Sequence, residues 1–424
     1  MRRAGFVLGL MLLSSLLPVR VGLGAAFLSE EGVDPSQPIY EMPAIIDLAL
    51  KHNPTIMGAD AGIQQSQGQR VIAGAYPNPT IVGQYGSGSI REPSTGTTIN
   101  EYLFTLSQPL EWVGKRSARK READRGIAGS VAGLAEAKLN LIADVKIAFY
   151  DLLLAQKAVE LAKQNQEIVG EVARIVRARV KSGEGPQFEA IKADVEVLKT
   201  SQVVTRAQNI VRVSRVVLDT LTSGQLGPAY RISGDFDTFP ANLELKNLTA
   251  KALERHPTIQ RLQQLVEGAG LTLVKEEQSR IPDVTVYGGF AREVGREAFI
   301  GGLSVPTPVW YLRQGEIASA LGAKRRGEAE LLRARNELLR SVNQHFQDAQ
   351  ATAKLLEVFE RGLLKEAQEA LRIAELSFQQ GVRGLLEVLD AQRVQRQILV
   401  EYLQTRYDLS VSLARLERAV AGLL

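Results

Sequence analysis

Residues 43–221 and 243–424 of this 424-residue chain are two copies of one pattern. The phrase HNPTI at 52–56 returns as HPTI at 256–259. Pro54 and Pro79 have counterparts 203 residues on, at Pro257 and Pro282. Trp112, Gly183 and Ala193 have theirs 198 residues on, at Trp310, Gly381 and Ala391. The offset changes in or beside a segment that reads as a strand hairpin, where an exposed loop absorbs a length difference. The duplication is the strongest structural inference in the sequence.

Each copy changes its hydrophobic period partway. In the first, a short helix over Ile45–Lys51 ends near Asn53-Pro54, and another is expected over 55–75. Tyr76-Pro77-Asn78-Pro79 stops it, because proline disfavours helix at its own position and at the one before. TIVGQYGSGSI (80–90) and TINEYLFTLSQ (98–108) then read as strands, with turn chemistry at 91–97 between them. Tyr102, Phe104 and Leu106 alternate with Leu103, Thr105 and Ser107. Strands of about eleven residues cross a bilayer when tilted. Aromatic groups on one face and small polar groups on the other suit lipid outside and water inside, although a soluble hairpin alternates in the same way.

From Trp112 to Lys181 there is no proline. Leu134, Leu141, Ala148, Ala155 and Ala162 recur every seventh residue, beside a second row of Val145, Leu152 and Val159. That spacing is a coiled-coil seam. A continuous helix over about 112–181 would be roughly 105 Å long at 1.5 Å per residue. Gly126, Gly129 and Gly133 fall near one face, where a close neighbouring helix would offset the roughly 1 kcal/mol that each costs. Gly183-Glu184-Gly185-Pro186 turns the chain into a return helix over 187–221, and 222–242 reads as a turn-rich connector. The second copy repeats the plan. It has strands at about 283–291 and 298–305, a long helix over about 312–381 and a return helix over 385–424. The fold class is therefore mainly α with a minor β part: duplicated long antiparallel helical hairpins and four strands per chain.

Arg2 and Arg3, an apolar run from Gly5 to Leu17 and small residues at Gly22, Gly24, Ala25 and Ala26 read as a secretory signal over 1–26. An extended arm is expected over 27–42. The chain has no cysteine, which excludes disulfides, cysteine metal sites and a lipid anchor on an N-terminal cysteine. No later stretch has eighteen consecutive apolar residues, so any crossing of a membrane must be made by strands. A net charge of +4 with acids and bases interspersed argues against a nucleic-acid partner. His52, His256 and His345 form no close pair, and the first two sit beside helix-ending prolines, in matching repeat positions, as markers of helix ends. No nucleophile elbow, phosphate loop or zinc spacing occurs, so neither an enzyme nor a cofactor is expected.

The charged turn GVRGLLEVLDA (381–391) echoes GEGPQFEAIKA (183–193). Glu387 and Asp390 are three residues apart and share one helix face. Acids in a first helical turn also complement the helix dipole wherever they point. Small membrane barrels need about eight strands, so four strands per chain require several chains. The helical seams need neighbours too, and both parts call for a cyclic oligomer.

The phrases HNPTI, PNPTI, LSQPLEWVGKR (106–116), VPTPVWYLRQGEI (305–317) and GVRGLLEVLDA, in this order in a duplicated chain, resemble the TolC-like outer-membrane efflux channels. LSQPLEWVGKR is most similar to the heavy-metal-efflux branch of CzcC and CusC types, while Tyr311-Leu312-Arg313 departs from it. The resemblance covers about residue 40 to 424. It implies a homotrimer whose α-barrel crosses the periplasm and whose twelve-stranded barrel sits in outer-membrane lipid. It also implies a periplasmic adaptor and an inner-membrane pump of the RND type as partners, and a periplasmic end that closes like an iris. By the same resemblance Glu387 and Asp390 ring the bore, and Arg383 braces the closed state against Glu189. Phe378 belongs to the gate, and Gly183, Gly185, Gly381 and Gly384 form the turns that dock the adaptor. The alternative reading is an exported periplasmic coiled-coil adaptor or scaffold without a membrane barrel.

Overall fold

The computed structural model describes residues 37–89, 98–240, 243–293 and 296–422. The expected signal segment 1–26, most of the arm and the turn at 91–97 lie outside the described residues. From Ile39 onward the chain is one unit. The first copy contains β1 (Ile39–Glu41), α1 (Met42–His52), α2 (Pro54–Gly74), β2 (Thr80–Ser89), β3 (Thr98–Leu110), α3 (Val113–Lys181) and α4 (Gln187–Leu221). After β4 (Arg231–Ser233) come α5 (Leu245–Arg255), α6 (Pro257–Gln278), β5 (Val284–Glu293), β6 (Arg296–Ser304) and α7 (Gln314–Val358). A π turn (Phe359–Leu363) leads into α8 (Leu364–Gln379), and α9 (Leu385–Ala419) ends the second copy.

Three layers share one order. The sheet runs β2-β3-β5-β6, all antiparallel. The helices nearest it pack α2–α3–α6–α7, and those farther away pack α4–α3–α9–α8. Helix α3 is long enough to serve both helical layers. The two copies thus join at β3–β5, α3–α6 and α3–α9. Pro109 lies in β3 opposite Thr285, beyond the last residue of β3 that β2 pairs. Proline costs no ladder hydrogen bond on a side that has no partner.

The heptad rows are buried. Leu141, Val145, Ala148, Leu152, Ala155 and Ala162 lose nearly all exposure, and Leu134 and Val159 pack at the edge of the same core. Full burial of a leucine or valine contributes about 1.5–3 kcal/mol. Gly129 and Gly133 face α6, where Gln264 Cβ and Arg261 Cδ lie 3.7 and 3.5 Å from the place a methyl group would take. Nothing lies that close to Gly126.

The structure corrects the sequence reading in four places. The helix placed over 45–51 starts at Met42, with Pro43 in its first turn, where a missing N–H costs nothing. The extended segment before it forms a strand, β1, which pairs in parallel with β4 inside the supposed connector. The second long helix is interrupted by the π turn, anchored by buried Phe359 against Tyr402 of α9 at 6.0 Å. Finally, the residue equivalent to His256 is Asn53, not His52. Both are N-caps: Asn53 Oδ1 accepts from the Thr55 amide at 2.9 Å, and His256 Nδ1 accepts from the Thr258 amide at 3.3 Å.

These caps are also joints. Asn53 Nδ2 donates to the Leu221 carbonyl at 2.9 Å, tying α2 to the end of α4. His256 Nε2 meets the Arg418 carbonyl at 3.3 Å, tying α6 to α9. Around the first joint, Ile45, Phe149, Tyr150, Leu218, Tyr230 and Phe236 form the largest buried core. The connector is pinned there by Tyr150, whose hydroxyl donates to Asp237 at 2.5 Å, and by Ser410, whose hydroxyl accepts from the Asp237 amide at 2.9 Å.

Candidate functional site

Two helix turns at the end remote from the sheet carry the residues singled out by sequence. Both helices that enter them end in the same way. Gly183 and Gly381 take φ of +82° and +74°, a conformation that costs any other residue a clash of its Cβ. The amide of the next residue bonds back five positions, Glu184 to Arg179 at 2.9 Å and Val382 to Ser377 at 2.9 Å. This is a Schellman stop. Extended Pro186 and Gly384 then cap α4 and α9. Gly185 packs on Val180.

Glu387 and Asp390 are both exposed, on the face of α9 opposite buried Leu385 and Val388. Glu387 folds back over Gly384, and Asp390 accepts from Arg393 at 2.7 Å. Glu189 sits half-buried in the first turn of α4. Arg383 is exposed in its turn, and among the described residues no ion pair joins it to Glu189. Phe378 is buried, and the cation on its ring is Arg179 of the first copy, 5.4 Å from the centroid. Sequence reasoning missed Arg179, although it lies one helical turn before Gly183. It also missed Asn165 and Gln392, a buried amide pair in which Gln392 Nε2 donates to Asn165 Oδ1 between α9 and α3.

The sheet is mostly two-sided: Val82, Leu103, Tyr287 and Ile300 interrupt its polar face, and Arg292 and Glu297 its apolar one. Pairing places Ile81, Tyr85, Tyr102, Phe104, Leu106, Phe290 and Phe299 on one face, and Gln84, Glu101, Thr105, Ser107 and Thr285 on the other. Tyr102, Phe104 and Phe299 are 43, 54 and 90% exposed, which water alone would not favour. No helix among the described residues is long and apolar enough to cross a membrane.

The motif LSQPLEWVGKR joins the sheet to the helices. Arg116 and Arg119 donate to the carbonyls of Ala73, Gly74 and Ala75, the open end of α2. Arg119 also forks onto Glu111 at 2.5 and 2.8 Å, and Lys115 reaches Asp283 at 2.7 Å. Helix α2 has no base in its own last turn, so α3 supplies the positive charge that its dipole favours.

The profile of a family described as "Outer membrane efflux protein" matches residues 45–224 and 248–422. The chain is 26% identical over 365 residues to the cobalt-zinc-cadmium resistance protein CzcC of Cupriavidus metallidurans, covering 85% of each chain. It is 22% identical to the outer membrane protein TolC of Vibrio cholerae, over 78% of this chain and 77% of that one. Among solved structures, the outer-membrane channel OprN superposes with a TM-score of 0.78 at 18% identity, covering 90% of both chains. CusC superposes with 0.76 at 16% identity, covering 90% and 92%. Members of this family are channels rather than enzymes, and they work with periplasmic adaptors and inner-membrane pumps. A soluble adaptor or scaffold is thereby set aside. The chain belongs to the outer membrane efflux protein family, and it is the outer-membrane exit duct of a tripartite efflux system, with its helices extending into the periplasm.

Proposed function

We propose that three copies of the chain close into one channel, a twelve-stranded barrel continued by a helical tunnel, driven by an RND-type pump. The observation that carries the ring of three is the pair of open edges. On one side of all three layers stand β2, α2 and α4, and on the other β6, α7 and α8. Along α4, Phe188, Ile191, Val195 and Leu198 keep heptad spacing and stay exposed, Leu198 by 72%. Along the opposite edge, Leu355 with Val358 and Ile373 with Leu376 form two exposed pairs, each three residues apart, on either side of the π turn. Different surfaces at the two edges make a head-to-tail contact, which closes into a ring when the rotation allows. The contacts inside one chain, β3–β5, α3–α6 and α3–α9, supply the pattern for β6–β2, α7–α2 and α8–α4 between chains.

At the tip of this tunnel Glu387 and Asp390 ring the bore and favour cations. Arg383 and Glu189 brace the closed state across the gate that contains Phe378. Gly183, Gly185, Gly381 and Gly384 shape the turns that meet the adaptor. Leu198→Glu puts a charge in the seam. It is expected to convert a heat-modifiable outer-membrane trimer into monomers on native gels, and a trimer that survives it would refute the seam. Glu387→Gln with Asp390→Asn lowers cation preference in planar bilayers, and Arg383→Ala or Glu189→Ala raises the conductance of the closed channel. Unchanged selectivity and unchanged conductance would overturn the ring and the brace respectively.

A further inference from the structure

We infer that the N-terminal cap of α6, at the α6–α9 joint, is acid-sensitive and is lost when His256 binds a second proton, whereas the matching cap of α2 at Asn53 is indifferent to pH. The two joints do the same work with different chemistry. Asn53 accepts from the Thr55 amide through Oδ1 and donates to the Leu221 carbonyl through Nδ2, and an amide side chain keeps both roles at every pH. His256 accepts from the Thr258 amide through Nδ1 and faces the Arg418 carbonyl with Nε2. A carbonyl only accepts, so Nε2 carries the proton and Nδ1 must not. The cap on Thr258 holds only for the neutral imidazole in that one tautomer, whereas the Nε2–H bond to the Arg418 carbonyl survives a second proton.

A second proton converts Nδ1 from acceptor to donor, pointed at an N–H at the positive end of α6. The cap is lost and a cation is placed against the helix dipole. The neighbouring charges do not cancel this. Glu136 of α3 is the one acid that draws a proton toward the ring, and it is already engaged by the Thr258 hydroxyl at 2.9 Å and by Arg261 at 2.6 Å. Arg418 of α9 opposes the charge, itself 4.0 Å from Asp144 of α3, while Arg261 and Arg255 are paired with Glu136 and Glu254. Burial is the largest influence and outweighs the bond to the Arg418 carbonyl and the charge of Glu136, which both favour the proton, so the imidazole is held below its ordinary range. A base with a lowered native pKa makes its full contribution above its unfolded value, about pH 6.5, and loses it as the pH falls below that.

The test is hydrogen exchange on the full-length channel in detergent from pH 8 to pH 5, read as protection factors at Thr258, Ile259 and Gln260 after correction for intrinsic rates. In the wild type, protection at these amides falls by up to about tenfold per pH unit below about 6.5, the limit for one linked proton. His256→Asn transplants the first-copy joint and flattens the profile. Asn53→His transplants the titrating joint and brings the same decline to Thr55 and Ile56. A flat wild-type profile overturns the inference. So does an equal decline in His256→Asn, which would assign the proton to another group. If His256→Asn failed to fold, the appearance or absence of acid sensitivity in Asn53→His would decide the matter.

Discussion

The two helical hairpins share a backbone and differ in what braces them. In the first, α3 runs unbroken for 69 residues, and Arg177 pairs with Asp194 of α4 at 3.0 Å. In the second, the outgoing helix is split by the π turn, and the equivalent positions hold Glu375 and Gln392. Gln392 turns away from its own hairpin and bonds to Asn165 on α3. At the junction with the sheet, the first copy has Arg116 and Arg119 on the end of α2, whereas the second has Gln314 and Ile317 in those places. Duplication set the backbone, and divergence then moved polar bonds from within a copy to between copies. At these positions the first hairpin braces itself and the second reaches to its neighbour, while Tyr402 on Glu360 and Arg313 on Glu276 still tie the second copy to itself.

The largest effect that would break this contrast lies at the junction. Glu111 is only 5% exposed, and Arg119 is its bidentate partner. Arg119→Ala strands a buried carboxylate and removes one of the two arginines on the end of α2, a loss of about 3 kcal/mol. Ile317→Ala in the second copy removes methylene contacts alone and is expected to cost less. Thermal unfolding of both variants in the same detergent compares them directly. Equal losses would mean that the first copy is not specially secured there.

Next in size is the amide pair between copies. Gln392→Leu leaves Asn165 without its donor in an apolar interface, at a cost of about 1–3 kcal/mol. Replacing both residues by leucine recovers much of that loss. In the first copy Asp194→Leu breaks an ion pair whose two side chains are each about half exposed, worth under about 1 kcal/mol. If Asp194→Leu proved the more damaging, the hairpins would be braced in the reverse sense.

The parts of the fold that depend on local pattern were legible in the sequence. Seven-residue spacing marked the buried rows of α3, and a glycine followed by a cap residue marked each turn. The alternation of Tyr102, Phe104 and Leu106 marked a two-sided sheet. What depends on distant partners was not legible. A three-residue strand such as β1 has too few residues to show a period, and its partner β4 lies far along the chain. The π turn leaves the spacing from Trp310 to Gly381 equal to that from Trp112 to Gly183, so alignment of the copies conceals it. Arg179 over Phe378 joins residues of different copies and follows from no spacing within either. The turn positions were legible because glycine is favoured where φ is positive, as at Gly183 and Gly381. The side chains that fill those turns follow from contacts across copies.

The smallest effect concerns Glu375, which stands where the first copy has Arg177. Among the described residues it has no hydrogen-bond or ion-pair partner, and burial raises its carboxyl above the usual carboxylate range. An acid with a raised native pKa favours the fold most below its unfolded value, about 4.3, and loses that advantage as the pH rises through the native value. Glu375→Gln removes the penalty at neutral pH. Because the side chain is only partly buried, the gain is within about 0.5 kcal/mol. It is expected to appear as a slightly higher unfolding midpoint at pH 7 and no difference near pH 4. A lower midpoint at pH 7 would show instead that the carboxylate is paired in the assembled channel. Position 375 would then be braced by a neighbouring chain, as Gln392 is braced by the first copy.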